Sequence, residues 1–289
     1  MSFVVDLKIA KFFRKNRKKL PQVQDALTTI DHILKTHPSV TRFGDGEFDL
    51  IHGLDIKFQK ATPDLSDRLA QVLNSPQNDS LLVCVPSTFD QTGYRHLTTA
   101  SKEYWFTYLN NRIDKIVIPK NKLYYDANFT RFHLRNRDRT YSQKLIGGIK
   151  QIWKDRNIVI IEGAKSRLGL GNDLFHNTTN VRRILCPTSN AFSKYPEILG
   201  TAKTYPRNTL FLISLGPTAT LLSYDLHHAG YQALDIGHID QEYEWFISGN
   251  SSRTPIKNKV VTELGQSESD APDHITDTKY LSEIDSEIS

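Results

Sequence analysis

The chain has 289 residues, of which 38% are hydrophobic and 24% charged, and its formal net charge at pH 7 is +5. These values are typical of a soluble globular protein with a substantial core. Neither a membrane-spanning apolar run nor an export leader is recognisable, so we expect a cytoplasmic protein. Cys84 and Cys186 lie in separate apolar runs. They are therefore expected to be buried free thiols, which argues against a zinc site or thiol catalysis.

Residues 1–20 form a basic segment with amphipathic character. Its apolar positions at helical spacing are Phe3, Val4, Leu7, Ala10 and Phe13, and lysines and arginines occupy most other positions. Such a helix can lie on an anionic membrane surface, so peripheral contact with the inner face of the membrane is one expectation. The alternative is a solvated helix that covers part of the core. No groove-reading or single-strand-binding pattern follows, so nucleic acid is not expected as a partner.

The first predicted strand is 39–43, and an acidic loop follows it directly. Gly44 and Gly46 permit a close approach of the backbone to a ligand, and they alternate with Asp45 and Glu47. In an extended segment both carboxylates would point to the same face. Mn²⁺ and Mg²⁺ bind such carboxylates together with substrate phosphates, so a divalent-cation site is one interpretation. A solvated turn that closes the strand is the other.

Short apolar runs alternate with segments of helical length along most of the chain. The predicted strands are 39–43, 80–85, 116–118, 158–161, 184–186, 210–215 and 233–236. The predicted helices are 21–35, 48–54, 62–73, 90–112, 141–154, 191–203 and 218–229. This alternation predicts an α/β, Rossmann-like fold with a mostly parallel sheet and helices on both faces. Ligands of such folds gather beyond the carboxyl ends of the strands, so the loops after the strands are candidate sites.

The loop at 162–175 is the most basic of these loops. It contains Lys165, Arg167 and Gly169, with Asn172 towards its end. Backbone N–H groups at glycines and fixed positive charges together favour a phosphate or a diphosphate. The spacing matches neither a Walker A loop nor a dinucleotide fingerprint. A flexible surface turn with incidental charges is the alternative.

Three later loops carry further candidates. Thr218 opens a predicted helix whose N-terminus is a natural anion site, or a simple helix start. His238 and Asp240 alternate as on a strand, and Glu244 continues this acidic series. The histidine could ligate a metal, contact a phosphate or serve as a base. Asn190 follows another strand, where it could contact the base or sugar of a nucleotide.

Several of these motifs together resemble the GT-D-type glycosyltransferases. The matching stretches are Arg42-Phe43-Gly44-Asp45-Gly46-Glu47-Phe48, the loop at 162–175, Cys186-Pro187 with Asn190-Ala191-Phe192, Gly216-Pro217-Thr218-Ala219, and 237–245. This bacterial family was first catalogued as a domain of unknown function, and it occurs in adhesin glycosylation and surface-polysaccharide gene clusters. The resemblance runs over roughly residues 20–265. It implies a Rossmann-like transferase that uses a UDP-sugar, UDP-glucose above all, and Mn²⁺ or Mg²⁺. It also implies that Asp45 and Glu47 are essential to donor binding.

The resulting hypothesis is a metal-dependent transfer of a hexose from a UDP-sugar to an acceptor hydroxyl of a glycan or glycoprotein. The predicted metal ligands are Asp45, Glu47 and His238. The predicted donor-binding residues are Arg42, Gly44, Lys165, Arg167, Gly169, Asn172, Asn190 and Thr218, with Arg42 alternatively neutralising the acids. The candidate bases are His238, Asp240 and Glu244. A catalytically inactive nucleotide-sugar-binding scaffold is the alternative function, and a homo-oligomer is left open.

Three regions are expected along the chain. They are a basic segment at 1–20, a glycosyltransferase-like domain at 21–265, and an acidic, mobile tail at 266–289. Within the tail, Tyr280, Leu281, Ile284 and Ile288 have helical spacing, so this part could dock back on the domain or meet a partner.

Overall fold

The computed structural model describes residues 2–76, 78–116 and 118–289. The strands are β1 (Gln22–Val23), β2 (Ser39–Arg42), β3 (Leu81–Val85), β4 (Leu123–Asp126), β5 (Asn157–Gly163), β6 (Asn180–Cys186), β7 (Leu210–Ser214), β8 (Gln232–Asp235) and β9 (Ile284–Glu287). Within these ranges all strand pairs are parallel, and the order across the sheet is β1-β4-β3-β2-β8-β7-β5-β6-β9. The predicted α/β fold with a mostly parallel sheet is confirmed.

Helices cover both faces of this sheet. They are α1 (Ser2–Asn16), α2 (Ala26–Thr36), α3 (Asp45–Ile51), α4 (Pro63–Asn74), α5 (Thr99–Arg112), α6 (Arg139–Ile152), α7 (Tyr195–Ala202), α8 (Pro217–His228), α9 (Ile239–Ile247) and α10 (Thr278–Ser282). Successive residues of β3 enter different apolar clusters, because side chains alternate between the faces of a strand. Leu82 and Cys84 pack with α2, α6 and α9, whereas Val83 and Val85 pack with α1, α4, α5, α7 and α8.

The start of α4 shows how local sequence sets the helix boundaries. Thr62 accepts a hydrogen bond at Oγ1 from the backbone N–H of Leu65 at 3.2 Å, and Pro63 occupies the first turn. The hydroxyl satisfies one of the free amides of the helix end, and proline has no amide to lose there. The predicted helix start at this position is confirmed, and its apolar stripe is buried.

The prediction of a strand at 116–118 was wrong. Ile116 and Ile118 are buried outside the strands, and residue 117 lies outside the described residues. Pro119 follows directly and has no N–H for a sheet ladder. The strand at this place in the sheet is β4, whose sequence Leu-Tyr-Tyr-Asp gives only a weak apolar signal.

The N-terminal segment packs on the domain. Val5, Ile9, Phe12 and Phe13 of α1 are buried, and Lys102 of α5 contacts Asp6 at 2.5 Å. Val4 and Leu7, which belong to the predicted apolar face of this helix, are instead 56% and 54% exposed. The apolar face of α1 was thus predicted about one position out of register. The side chain of Phe3, another residue of the predicted face, lies outside the described residues.

The C-terminal residues pack on the domain, which is one of the two alternatives given for the apolar positions at 280–288. β9 pairs with β6 at the edge of the sheet, and Tyr280 of α10 is buried. The hydroxyl of Tyr280 donates to Glu162 Oε1 at 3.0 Å, and Arg183 Nη1 donates to the same oxygen at 2.6 Å. Residues of the predicted tail therefore complete the fold of the predicted domain.

The connections of the chain define a crevice between β5 and β7. These strands are neighbours in the sheet, but the chain continues from β5 to β6 on one side and from β7 to β8 on the other. Connections that leave in opposite directions open a gap at the carboxyl ends of the two strands, where α/β proteins bind ligands. The fold therefore predicts that the functional site lies at this edge.

Candidate active site

A small cavity of about 60 Å³ lies at this carboxyl edge. Its walls come from the residues that follow β5, β6, β7 and β8, including Ser166, Thr188, Gly216 and His238. Phe58 belongs to the loop after α3 and also contributes to the wall. The fold thus brings four of the predicted loops together, around a space for a few water molecules.

Asp45 and Glu47 lie on the first turn of α3, which begins at Asp45. The assumption of an extended segment was wrong, because glycine followed by acids also favours a helix N-terminus. The two carboxylates diverge. Glu47 Oε2 accepts a hydrogen bond from the Gly44 N–H at 2.7 Å, whereas Asp45 accepts one from the hydroxyl of Tyr104. Gly44 therefore serves to start this helix.

The acids at this edge repel one another. Burial, together with the negative charges of Asp235 and Asp45, raises the pKa of Glu47 to about 7, against the hydrogen bond from Gly44. Carboxylates whose charges are mutually unfavourable form a site that a cation would stabilise. The electrostatics of this turn are thus compatible with the predicted divalent-cation site at Asp45 and Glu47.

Arg42 connects three parts of the sheet edge. Its Nε and Nη2 donate to Asp235 Oδ1 at 3.1 and 2.9 Å, and its Nη1 donates to the carbonyl of Ala127 at 2.7 Å and to Thr130 Oγ1 at 2.8 Å. The side chain is 13% exposed. In this arrangement the guanidinium neutralises an acid, which is one of the two predicted alternatives, and its donors are directed at the protein.

Asp235 is a residue that the sequence analysis missed. Burial raises the pKa of its carboxyl, and Arg42 opposes the increase. Gly237 follows with a φ of 48°, and a Cβ at this position would lie 1.9 Å from Arg42 Nη2. Glycine is therefore required where the chain leaves β8. The signal available in the sequence was the pair of Asp235 and Gly237 at the end of a strand.

His238 precedes α9, so the prediction that His238 and Asp240 alternate on a strand was wrong. The ring Nδ1 lies 3.2 Å from Gln241 Oε1 and 3.3 Å from Glu263 Oε1. Burial lowers the pKa of His238 to about 4, and the charge of Arg131 contributes. The ring is neutral at pH 7, and these acceptors favour a proton on Nδ1 and a lone pair on Nε2.

Glu263 is the second acid that the sequence analysis missed. Burial alone would raise the pKa of Glu263, but Arg131, His238 and Arg253 lower it to about 2. Arg131 and Arg253 both donate hydrogen bonds to its carboxylate. Glu263 remains charged and orients His238 from the segment that follows α9.

Asp240 and Glu244 belong to a network inside the protein. Asp240 accepts hydrogen bonds from the Gly169 N–H at 2.8 Å, from Asn172 Nδ2 at 2.8 Å and from Lys259 Nζ at 2.6 Å. Glu244 Oε1 accepts hydrogen bonds from Asn172 Nδ2 at 2.7 Å and from Lys259 Nζ at 3.0 Å. These contacts fix the glycine loop to α9. Gly169, Asn172, Asp240 and Glu244 thus have structural partners in this arrangement.

Lys165 and Arg167 contact the C-terminal segment. Lys165 Nζ lies 2.6 Å from Asp273 Oδ1 and 3.1 Å from the carbonyl of Pro272. Arg167 donates to the carbonyls of Asn258 and Pro272 at 2.8 and 2.7 Å. Their donors face the C-terminal chain in this arrangement, and phosphate binding by either residue stays a prediction.

Asn190 and Thr218 have different surroundings. Asn190 Oδ1 accepts from the Lys60 N–H at 2.9 Å, and its own N–H donates to the carbonyl of Phe58 at 2.8 Å, so Asn190 positions the loop beside the cavity. Thr218 lies in the first turn of α8 and is fully buried. Among the described residues, neither its hydroxyl nor that of Thr188 has a hydrogen-bond partner.

A metal held by the protein alone is not supported. In the described ranges, no three His, Cys, Asp or Glu side chains are grouped closely enough to hold a metal ion. Asp45, Glu47 and His238 therefore do not form a three-ligand site by themselves. A cation at this edge would need oxygen ligands from a bound substrate.

This fold and site define a known class of protein. Residues 40–264 match the family described as glycosyltransferase GT-D fold. The chain therefore belongs to the GT-D family, as the sequence resemblance implied.

Two solved structures resemble the whole domain. One is described as a domain of unknown function 1792 with a distinct glycosyltransferase fold. It aligns with a TM-score of 0.89 and 31% identity, covering 100% of both chains. The other is described as a new glycosyltransferase from Streptococcus sanguinis. Its TM-score is 0.87 at 35% identity, covering 93% of this chain and 100% of that one.

Two curated proteins are also similar in sequence. The probable glycosyl transferase Gly of Streptococcus gordonii is 39% identical over 236 residues, which are 81% of this chain and 34% of that protein. Glycosyltransferase GlyD of Streptococcus pneumoniae serotype 4 is 33% identical over 243 residues, 84% of this chain and 30% of that protein. The chain spans about a third of the length of these relatives.

Proposed function

We propose that this chain is a metal-dependent glycosyltransferase that moves a hexose from a UDP-sugar to an acceptor hydroxyl of a glycan or glycoprotein. The observation that carries this proposal is the acidic turn of Asp45 and Glu47 at the ligand-binding edge of a GT-D fold. Relatives named glycosyltransferases support the reaction class. Glucose as the sugar, and surface polysaccharide or adhesin glycosylation as the setting, follow from the family resemblance.

The cation in this proposal is Mn²⁺ or Mg²⁺. Asp45 and Glu47 fit such an ion, because hard cations take carboxylate oxygens and complete their shell with substrate phosphates and water. When bound, the cation would offset the negative charge that develops on the departing diphosphate. Rotation of the Glu47 side chain away from the Gly44 N–H would make its carboxylate available for this role.

The first turn of α8 is the proposed place for a donor phosphate. This helix has 12 residues and follows Gly216, whose φ is 54°. Its free backbone amides carry partial positive charge. The buried hydroxyl of Thr218 and that of Thr188, which lines the cavity, both lack a partner among the described residues. Phosphate oxygens would supply acceptors for these two hydroxyl groups.

Transfer breaks the bond between the sugar carbon and the diphosphate oxygen, and the acceptor oxygen forms the new bond and loses its proton. Of the three candidate bases, His238 is the one whose acceptor atom is not paired with Lys259 or Asn172, although its pKa of about 4 makes it a weak base. Its neutral ring retains a lone pair on Nε2, whereas Asp240 and Glu244 accept hydrogen bonds from Lys259 and Asn172. The Glu263 carboxylate beside Nδ1 would stabilise the imidazolium that forms.

A donor screen tests this proposal. We expect the protein to release free nucleotide from UDP-glucose or another UDP-hexose in the presence of Mn²⁺ and methyl hexosides as acceptors. GDP- and TDP-sugars and EDTA-treated samples serve as controls and should give little release. Nucleotide binding without any release would instead support the inactive scaffold. Equal release with and without the cation would contradict metal dependence.

The proposed partners include an anionic membrane surface, bound through α1. Val4 and Leu7 are 56% and 54% exposed, and the basic residues Lys8, Lys11, Arg14 and Lys15 lie on the same helix. Exposed apolar side chains beside lysines and arginines are typical of helices that bind at the lipid interface. No helix in the described ranges is long and apolar enough to cross a bilayer. The contact that we propose through α1 is a peripheral one.

Replacing Val4 and Leu7 together with aspartate is expected to reduce sedimentation with phosphatidylserine vesicles several-fold. The two side chains are exposed, so the fold should tolerate the change. Leu281→Asp is the matched control, because Leu281 is also exposed, at 45%, on a different helix. Equal vesicle binding by the double variant and the wild type would contradict the membrane proposal.

A further inference from the structure

Helices α3 and α5 present facing polar side chains beside the acidic turn. Asp45 and Asp49 lie one turn apart on α3, and Tyr104, Tyr108 and Arg112 lie at successive turns of α5. Tyr104 donates a hydrogen bond to Asp45, Arg112 Nε lies 3.6 Å from Asp49 Oδ1, and the guanidinium lies 4.7 Å from the centre of the Tyr108 ring. We call these five residues the α3–α5 strip.

Much of the strip is open to solvent. Tyr104 is 52% exposed, and its ring packs edge-on against Trp105 with centroids 5.5 Å apart. The side chains of Arg112 and Asp49 are 40% and 27% exposed. An exposed aromatic ring that is held by a second ring offers a rigid apolar surface at low entropic cost.

Tyr108 is the one member of the strip that is nearly inaccessible, at 6% exposure. In the described ranges its hydroxyl has no hydrogen-bond partner. Burial raises the pKa of this phenol, and the charges of Asp45 and Asp49 add to the increase. A buried hydroxyl without a partner is costly, and a polar ligand atom that displaces the side chains covering it would satisfy it.

We propose that the α3–α5 strip binds the acceptor of the reaction, as an uncharged hexopyranoside. This inference rests on the proposed function. Asp45 belongs both to the acidic turn and to the strip, so a sugar on the strip would lie next to the donor. The carboxylates accept hydrogen bonds, the guanidinium donates them and the phenols can do both, which suits neighbouring sugar hydroxyls. The exposed face of the Tyr104 ring suits the apolar face of a pyranose.

Charge supports a neutral ligand. With the proposed cation on Asp45, the remaining charges of the strip are those of Asp49 and Arg112, which offset each other, so the strip presents no net charge that would attract an anionic glycan. A cationic ligand would have to compete with Arg112 for Asp49, and with the proposed metal for Asp45. Sugar hydroxyls need no net charge to exchange hydrogen bonds with these groups.

Tyr108→Phe is the sharpest test, because it removes only the unpartnered hydroxyl. Binding of the methyl β-glycosides of glucose, galactose and N-acetylglucosamine to the full chain would be measured by calorimetry, with UDP and Mn²⁺ present. We expect affinity for the preferred glycoside to fall about fivefold, the effect of one neutral hydrogen bond. The melting temperature should not fall, since the hydroxyl has no hydrogen-bond partner among the described residues. Tyr104→Ala should weaken binding by a similar factor.

Glu103→Ala is the matched control, because this residue is exposed on α5 outside the strip. It should leave glycoside affinity unchanged. The inference is overturned if the wild type binds none of the glycosides, or if Tyr108→Phe weakens UDP binding while glycoside binding is unchanged. Failure of the proposed function would give a different result. The protein would then bind the glycosides in a Tyr108-dependent way but would release no nucleotide from any UDP-sugar.

Discussion

Replacing Glu47 with alanine is expected to reduce sugar transfer to below about 1% of the wild-type rate, as is Asp45→Ala. In the proposed mechanism both side chains hold the cation that neutralises the leaving diphosphate. The fold should persist, because loss of the hydrogen bond that the Glu47 carboxylate accepts from the Gly44 N–H costs about 1 kcal/mol. Initial rates of UDP release and the melting temperature measure the two effects.

Asp64→Ala provides the matched control for this pair. Asp64 is also an acid in the first turn of a helix, α4, and it is exposed. Its removal should leave the transfer rate unchanged. Full turnover by Glu47→Ala would remove Glu47 from the metal site, and a folded Asp45→Ala variant with full activity would do the same for Asp45.

Replacing Arg42 with alanine is expected to lower the free energy of unfolding by about 3–5 kcal/mol. The substitution leaves the buried carboxylate of Asp235 without its partner, and it removes the hydrogen bonds to Ala127 and Thr130. Loss of one member of a buried ion pair is costly because the remaining charge has no solvent to stabilise it. Urea denaturation measures this difference.

Arg182→Ala is the comparison for Arg42, since it removes a similar ion pair at the surface. Arg182 lies 2.7 Å from Asp285, but its side chain is 49% exposed. We expect a loss of about 0–1 kcal/mol there. A similarly small loss of unfolding free energy for Arg42→Ala would contradict the structural role of the guanidinium. Binding of a donor phosphate would then be the preferred interpretation of Arg42.

The sheet was predictable because its strands are short, continuous apolar runs. β3, β5 and β7 are buried along most of their length, and such runs stand out from amphipathic helices. β4 was not predictable, because its single aliphatic residue and its tyrosines give little apolar signal. Its position is set by its neighbours in the sheet.

The local geometry of the site was misread at two helix starts. Alternating acids after a strand fit an extended chain, but acids also occupy the positive ends of helices. Asp45 and Glu47 in α3, and Asp240 and Glu242 in α9, are cases of the second kind. The glycine that precedes each segment was the clue that the strand had ended.

Other contacts of the site depend on distant parts of the chain. Arg42 and Asp235 are 193 residues apart in sequence, and only the parallel pairing of β2 and β8 brings them together. The C-terminal segment was predicted to be an acidic, mobile tail. Instead, Asp273 contacts Lys165, and Glu283 contacts Arg183. Individual ion pairs of this kind leave no pattern in composition or spacing.

The most direct test of the central claim is a calorimetric titration of UDP into the protein with Mn²⁺ and again with EDTA. We expect clear binding with the cation, at least about tenfold weaker binding in EDTA, and little difference between the two conditions for Glu47→Ala. Equal affinity for UDP in Mn²⁺ and EDTA, in wild type and variant alike, would contradict a cation-bridged donor site at Asp45 and Glu47.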